Sequence, residues 1–172
     1  FYQSLPIIQD SSSVTNTYSA TGYNEFSENA IGALKFQVRT VHGVDGDVRL
    51  TDRLFVEGRK LRGFVRGSVG PKDGSDYVGG NYATAVNFEA ALPNLLPEST
   101  QTDIAAFLDV GNLWHVDYDA SVGQSSMIRS SIGFATNMYT LIGPLNFVVA
   151  QDLSKAESDK TQTFKFQIGT SF

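Results

Sequence analysis

The chain has 172 residues, no cysteine, 13 Lys and Arg against 18 Asp and Glu, and a formal net charge of −5. That length allows one domain with a substantial core, the lack of cysteine removes thiolate metal sites, disulfides and thiol nucleophiles, and the acidic balance argues against nucleic-acid binding. No run approaches ~18 consecutive apolar residues, so no transmembrane helix is available, whereas a membrane barrel needs strands of only about 9–11 residues.

The chain opens at Phe1 without an initiator Met, a basic n-region or an apolar h-region, as expected of a processed protein or a piece of a longer one. Its first segment, FYQSLPII, is a weak strand signal that Pro6 demotes to an edge or a strand end. VTNTYSATGYNEF is a second weak strand. In ALKFQVRTV, Leu34, Phe36 and Val38 oppose Lys35, Gln37 and Arg39, a period of two that predicts a strand. Residues from about 44 to 80 then carry no strand period. A loop of that length is usually functional or disordered, and Leu54, Phe55, Val56, Leu61, Phe64 and Val65 argue against disorder.

Alternation resumes in NYATAVNFEAAL, where Tyr82, Val86 and Phe88 oppose Ala83, Ala85, Asn87 and Glu89. In TDIAAFLDVGNLW, Ile104, Ala106, Leu108 and Val110 oppose Ala105, Phe107, Asp109 and Gly111. MIRSSIGFATNMYT sets Ile128, Ile132, Phe134 and Met138 against Arg129, Gly133, Ala135 and Asn137. GPLNFVVAQDL and TFKFQIGTSF close the series, the last with Phe164, Phe166, Ile168 and Phe172 on one face and Lys165, Gln167 and Gly169 on the other. About eight strands are expected and no helix.

Throughout, one face is apolar and aromatic. The other mixes Lys, Arg, Gln, Asn, Asp and Glu with Gly and Ala. Small and charged inward side chains suit a barrel lumen, and an apolar outer face suits lipid. The predicted class is therefore all-β, an antiparallel transmembrane β-barrel, with a lipocalin-like or sandwich fold as the alternative. Trp114, Tyr139 and Phe172, at segment ends, suit interfacial girdles. Connections alternate between short Pro-bearing turns, PNLLPES and TLIGP, and long polar loops, as in outer-membrane barrels.

Other chemistry has little support. His42 and His115 are the only histidines, and neither HExxH nor GxSxG occurs. GSVGPKDG lacks phosphate-loop spacing, and DGD (45–47) and DYD (117–119) read as turn acids before calcium ligands. The basic cluster Arg53, Arg59, Lys60, Arg62 and Arg66 suits lipopolysaccharide phosphates or, inside a folded-back loop, pairing within the lumen. No catalytic residue, metal or cofactor is expected, and the chain is not expected to be an enzyme.

Several motifs in register resemble one family. LRGF (61–64), GPKDG (70–74), GGNYATAVNFEAALP (79–93), FLDVGNLW (107–114), IRSSIGFA (128–135), GPLNFVVAQDL (143–153) and FQIGTSF (166–172) resemble the barrel domain of the BamA outer-membrane barrel-assembly family. The resemblance covers about residues 50–172 and implies that 1–172 is the C-terminal half of a barrel of about sixteen strands, truncated at its N-terminus and lacking the POTRA domains. It implies that loop 44–80 folds into the lumen. There Arg62 of Leu61-Arg62-Gly63-Phe64 would pair with Glu89 and Asp109 on the inner wall, near Phe107 and Gly111. Gly63 would allow the turn, and Phe64 would pack against the wall. The family likeness further implies that Phe164, Phe166, Ile168, Gly169 and Phe172 form a terminal-strand signal beside a weak seam.

The function implied is folding and insertion of client barrels into the bacterial outer membrane without nucleotide. Implied partners are outer-membrane lipid and lipopolysaccharide, unfolded client barrels, and accessory lipoproteins through POTRA domains, with no nucleic acid. Alternatives are a passive channel or protein-secretion pore of the same superfamily, or an autonomous small eight-stranded barrel.

Overall fold

The computed structural model describes residues 2–4, 13–27, 30–93, 95–119, 122, 127–140 and 143–169. Their strands are β1 (Tyr2–Ser4), β2 (Ser13–Ser27), β3 (Ala30–Gly43), β4 (Lys72–Asp73), β5 (Asp76–Tyr77), β6 (Tyr82–Ala91), β7 (Thr102–Trp114), β8 (Arg129–Thr140), β9 (Gly143–Ser154) and β10 (Phe164–Ile168). β4 and β5 form a small hairpin inside the long loop. The other eight make one antiparallel sheet in the order β1-β2-β3-β6-β7-β8-β9-β10. Helical structure among the described residues is limited to two single 3₁₀ turns, Leu50–Asp52 and Glu98–Thr100.

The register aligns the alternation read in each segment into two continuous faces. On the outer face Leu34 pairs with Phe88, Phe88 with Leu108, and Leu108 with Ile132. Phe134 pairs with Val149, and Val149 with Phe164. These side chains are exposed, Ile132 at 48%, Phe134 at 57% and Val149 at 51%. A continuous exposed apolar belt across successive strands is uncommon on a soluble monomer and matches a surface immersed in hydrocarbon. A soluble lipocalin or sandwich would place its large apolar groups on the covered face.

The inner face has the opposite chemistry. One row runs Lys35, Asn87, Asp109, Ser131, Asp152 across five successive strands. The neighbouring row runs Ala33, Glu89, Phe107, Gly133, Ala150. The β3–β6 connection covers this face, with Val48 and Leu54 packed on Val41, Ala83 and Leu113 of the wall. The longest connection, 44–81 between β3 and β6, lies at the same end of the sheet as 155–163 between β9 and β10.

One structural finding bears on the alternative of an autonomous small barrel, and another differs from the sequence reading. Among the described residues β1 and β10 are the edges and do not pair with each other, so the sheet is open and not a closed eight-stranded barrel. Tyr139, read as a girdle ring, pairs with Pro144 on the parity of Asn137, hence on the inner face. Trp114 does lie on the outer parity, beside Tyr82 with ring centroids 5.8 Å apart, and His115 adds a second ring 5.3 Å from Tyr82. Phe172 lies outside the described residues.

Candidate functional site: the loop–wall junction

The site begins with one row of the inner face. Asn87, Asp109 and Ser131 stand side by side on β6, β7 and β8. Each reaches the backbone of the covering loop. Asn87 Nδ2 donates to the Lys60 carbonyl at 2.8 Å, the Arg62 N–H donates to Asp109 Oδ2 at 2.9 Å, and Ser131 Oγ donates to the Arg62 carbonyl. Three adjacent strands thus hold the loop backbone at Lys60 and on both sides of Arg62, which fixes where residue 62 projects.

The Arg62 side chain then completes the junction. Nε donates to Asp109 Oδ2 and Nη2 to Asp109 Oδ1, both at 2.8 Å, a bidentate fork. Nη1 donates to Glu89 Oε2 at 3.2 Å, and Lys35 Nζ stands 3.6 Å from the same carboxylate oxygen. Asn87 Nδ2 also donates to Asp109 Oδ1 at 2.8 Å. Asp109 is completely buried, and its two oxygens receive four donors. A buried carboxylate is tolerated only when paired and hydrogen-bonded to this degree. Arginine suits the position because its planar fork satisfies two carboxylates and one ring together. The guanidinium carbon sits 3.6 Å from the Phe107 ring centroid.

Local sequence explains the fit. Gly63 adopts φ +87, and a Cβ there would come within 3.0 Å of Ala150 Cβ and 3.3 Å of Ser131 Cβ. Glycine supplies both the left-handed turn and the close approach to the wall. Gly133, paired with Phe107, leaves room for that ring: a Cβ on residue 133 would lie 2.8 Å from Phe107 Cζ and would strike the Val149 carbonyl. Gly111 is inward, and a Cβ there would meet the Thr84 carbonyl at 3.0 Å and Leu61 Cδ1 at 3.7 Å. Phe64, which the family likeness puts against the wall, is buried in a cluster with Leu61 and Val69 of its own loop. Phe107, Ala135, Val148 and Ala150 form a separate wall cluster.

The structure therefore brings Leu61, Arg62, Gly63, Glu89, Phe107, Asp109 and Gly111 together, with Phe64 one step further inside the loop. The terminal-strand residues lie elsewhere. Phe164, Phe166 and Ile168 face outward on β10, and Gly169 follows that strand at φ +98, its N–H donating to the Pro144 carbonyl at 2.8 Å. Asn87 and Ser131 complete the junction and were not singled out from sequence. Their position in the polar row beside Asp109 is the signal, and it needs the register.

The basic cluster divides. Arg53 donates to the Val48 carbonyl at 3.1 Å and stands 3.8 Å from Asp117. Arg59 and Arg66 line a half-open cavity of about 450 Å³ with Arg39, Glu57 and Lys165. Outside the sheet, burial tends to raise the Asp117 carboxyl, but the Val48 N–H, the Asn81 side chain and Arg53 outweigh it and hold it below its ordinary 3.8. No group of three or more metal-binding side chains occurs among the described residues.

An antiparallel meander with a lipid-type outer face and a polar inner face covered by its own loop defines a segment of a membrane β-barrel. A profile of the Omp85 superfamily domain matches residues 3–172. Outer membrane protein assembly factor BamA of Neorickettsia risticii (strain Illinois) is 31% identical over 160 residues, covering 90% of this chain and 21% of that protein. The protein of the same name from Neisseria meningitidis serogroup B (strain ATCC BAA-335 / MC58) is 29% identical over 139 residues, covering 65% and 17%. In fold, the chain matches the crystal structure of BamA from Haemophilus ducreyi lacking POTRA domains 1–3 with a TM-score of 0.80. The identity is 22%, over 94% of this chain and 35% of that one.

The chain belongs to the Omp85 superfamily. It is a segment of a bacterial outer-membrane β-barrel similar to those of the BamA proteins, and it spans about a fifth of the length of the curated relatives it matches.

Proposed function

We propose that this segment is the barrel part of an outer-membrane protein assembly factor, which folds and inserts client β-barrels without nucleotide. The observation that carries the reading is the 31% identity, over 90% of the chain, to a protein named for that role. Geometry adds support from the lumen side. The inner face is filled by a loop bonded to the wall at Arg62, which fits a plugged barrel better than a passive channel.

No enzymatic group is needed in this account. The client's own ladder closure and the transfer of its apolar face into lipid drive the reaction, and the factor lowers the barrier. Its partners would be unfolded client barrels, outer-membrane lipid and lipopolysaccharide, and accessory lipoproteins bound through POTRA domains outside this segment. The test is reconstitution of the full protein in liposomes with an unfolded client and no nucleotide. Faster appearance of folded client than in empty liposomes is expected. Equal rates in both would sink the assignment.

A further inference from the structure

The β9–β10 connection carries a second buried ion pair, separate from that of Arg62. Arg129, at the start of β8, donates from Nε to Asp159 Oδ2 at 2.8 Å and from Nη2 to Asp159 Oδ1 at 3.1 Å, and both side chains are fully buried. Arg129 Nη1 donates to Asn112 Oδ1 on β7 and to the Met127 carbonyl. The Ala156 N–H donates back to Asp159 Oδ2 at 2.8 Å. A paired charge this deep fixes the position of the segment that carries it.

That segment is the leader of the last strand. β10 begins only at Phe164, opposite Val149, so residues 151–154 of β9 extend past it without a β10 partner. Instead of continuing along β9, residues 160–162 turn inward and join the plug loop. The Val65 N–H donates to the Lys160 carbonyl at 2.9 Å, the Gln162 N–H to the Gly63 carbonyl at 2.8 Å, and the Lys160 N–H to the Ser68 carbonyl at 3.3 Å. Phe64 and Thr161 form a β-bridge. Ladder pairing with β9 resumes where the Ala150 N–H donates to the Thr163 carbonyl. The glycine of the Arg62 motif is thus hydrogen-bonded to a residue two positions before the edge strand.

We propose that Arg129 and Asp159 are positioning residues that set the start of the last strand and couple it to the plug loop, so that β10 and residues 63–68 open as one unit. This rests on the reading of β10 as the barrel's seam strand, but its test does not depend on client insertion. The coupling is reciprocal: loosening either anchor must loosen the other segment.

The experiment is native-state hydrogen exchange on the full protein in lipid nanodiscs. In the wild type, the Val65, Lys160 and Gln162 amides and the β9-paired amides of Phe164–Ile168 should share one opening equilibrium. Asp159→Asn should raise exchange about tenfold or more in both 160–168 and 63–68 and leave the β6–β7 ladder unchanged. Arg62→Ala should reciprocally raise exchange at 160–168. A rise confined to residues 155–160 in Asp159→Asn, or independent opening of β10 and 63–68 in the wild type, would overturn the proposal. The wild-type measurement decides the matter even if the variants do not fold.

Discussion

At the scale of single residues, the junction depends on conformation as much as on charge. Gly63 is left-handed and abuts Ala150 and Ser131, so Gly63→Ala adds a strained backbone of about 1–2 kcal/mol to a steric conflict. That variant should show faster proteolysis within residues 55–70 and a lower unfolding temperature, while Gly67→Ala, where a Cβ meets nothing within 4 Å, should show a smaller effect. Equal effects would mean that contact with the wall does not matter. The sequence alone reveals part of this site. Period two assigns Asp109 and Glu89 to the polar face, and the family likeness gives them Arg62 as a partner. It does not reveal Asn87 and Ser131, because their role follows from standing beside Asp109 across the sheet. Register depends on strand offsets that one strand's pattern does not contain. Phe107 opposite Gly133 was hidden for the same reason.

At the scale of elements, the strands β3 and β6 to β9 are legible because lipid on one side and a plugged lumen on the other demand alternation over their 10 to 14 residues. The loops are less so. Their order comes from non-local pairs such as Arg129–Asp159 and Arg53–Asp117, and no local pattern announces these. Asp117 gives the outer loops a pH dependence. Its folded value lies below the ordinary 3.8, so its hydrogen bond from Val48 and its ion pair with Arg53 contribute fully above that value and are lost as pH falls through the lower folded value. Hydrogen exchange at the Val48 amide should therefore stay flat, after correction for intrinsic rates, from pH 7 to about 5 and accelerate below about 4. Asp117→Asn should remove that acid-induced step. A step of the same size in the variant would place its origin elsewhere.

For the whole molecule, the sequence shows a single outer face and a single covered face, and among the described residues the eight strands form an open sheet. The covering loop leaves a half-open cavity of about 450 Å³ lined by Arg39, Arg59, Arg66 and Lys165 around Glu57. A plugged barrel with this basic residue of space should conduct little. The full protein in planar bilayers is expected to show small, infrequent openings, and Arg62→Ala larger ones, because removing one partner of a buried pair costs about 3–5 kcal/mol and frees the loop. Large steady conductance from the unmodified protein would favour the channel reading.

The most direct measurement of the central claim compares wild type and Arg62→Ala in the liposome insertion assay, after each has been shown to be folded by its shifted mobility on cold SDS gels before boiling. Arg62 joins the loop to Asp109, Glu89 and the Phe107 ring. The account predicts that a folded Arg62→Ala protein inserts client barrels at least several-fold more slowly. Full insertion activity in that folded variant would contradict it.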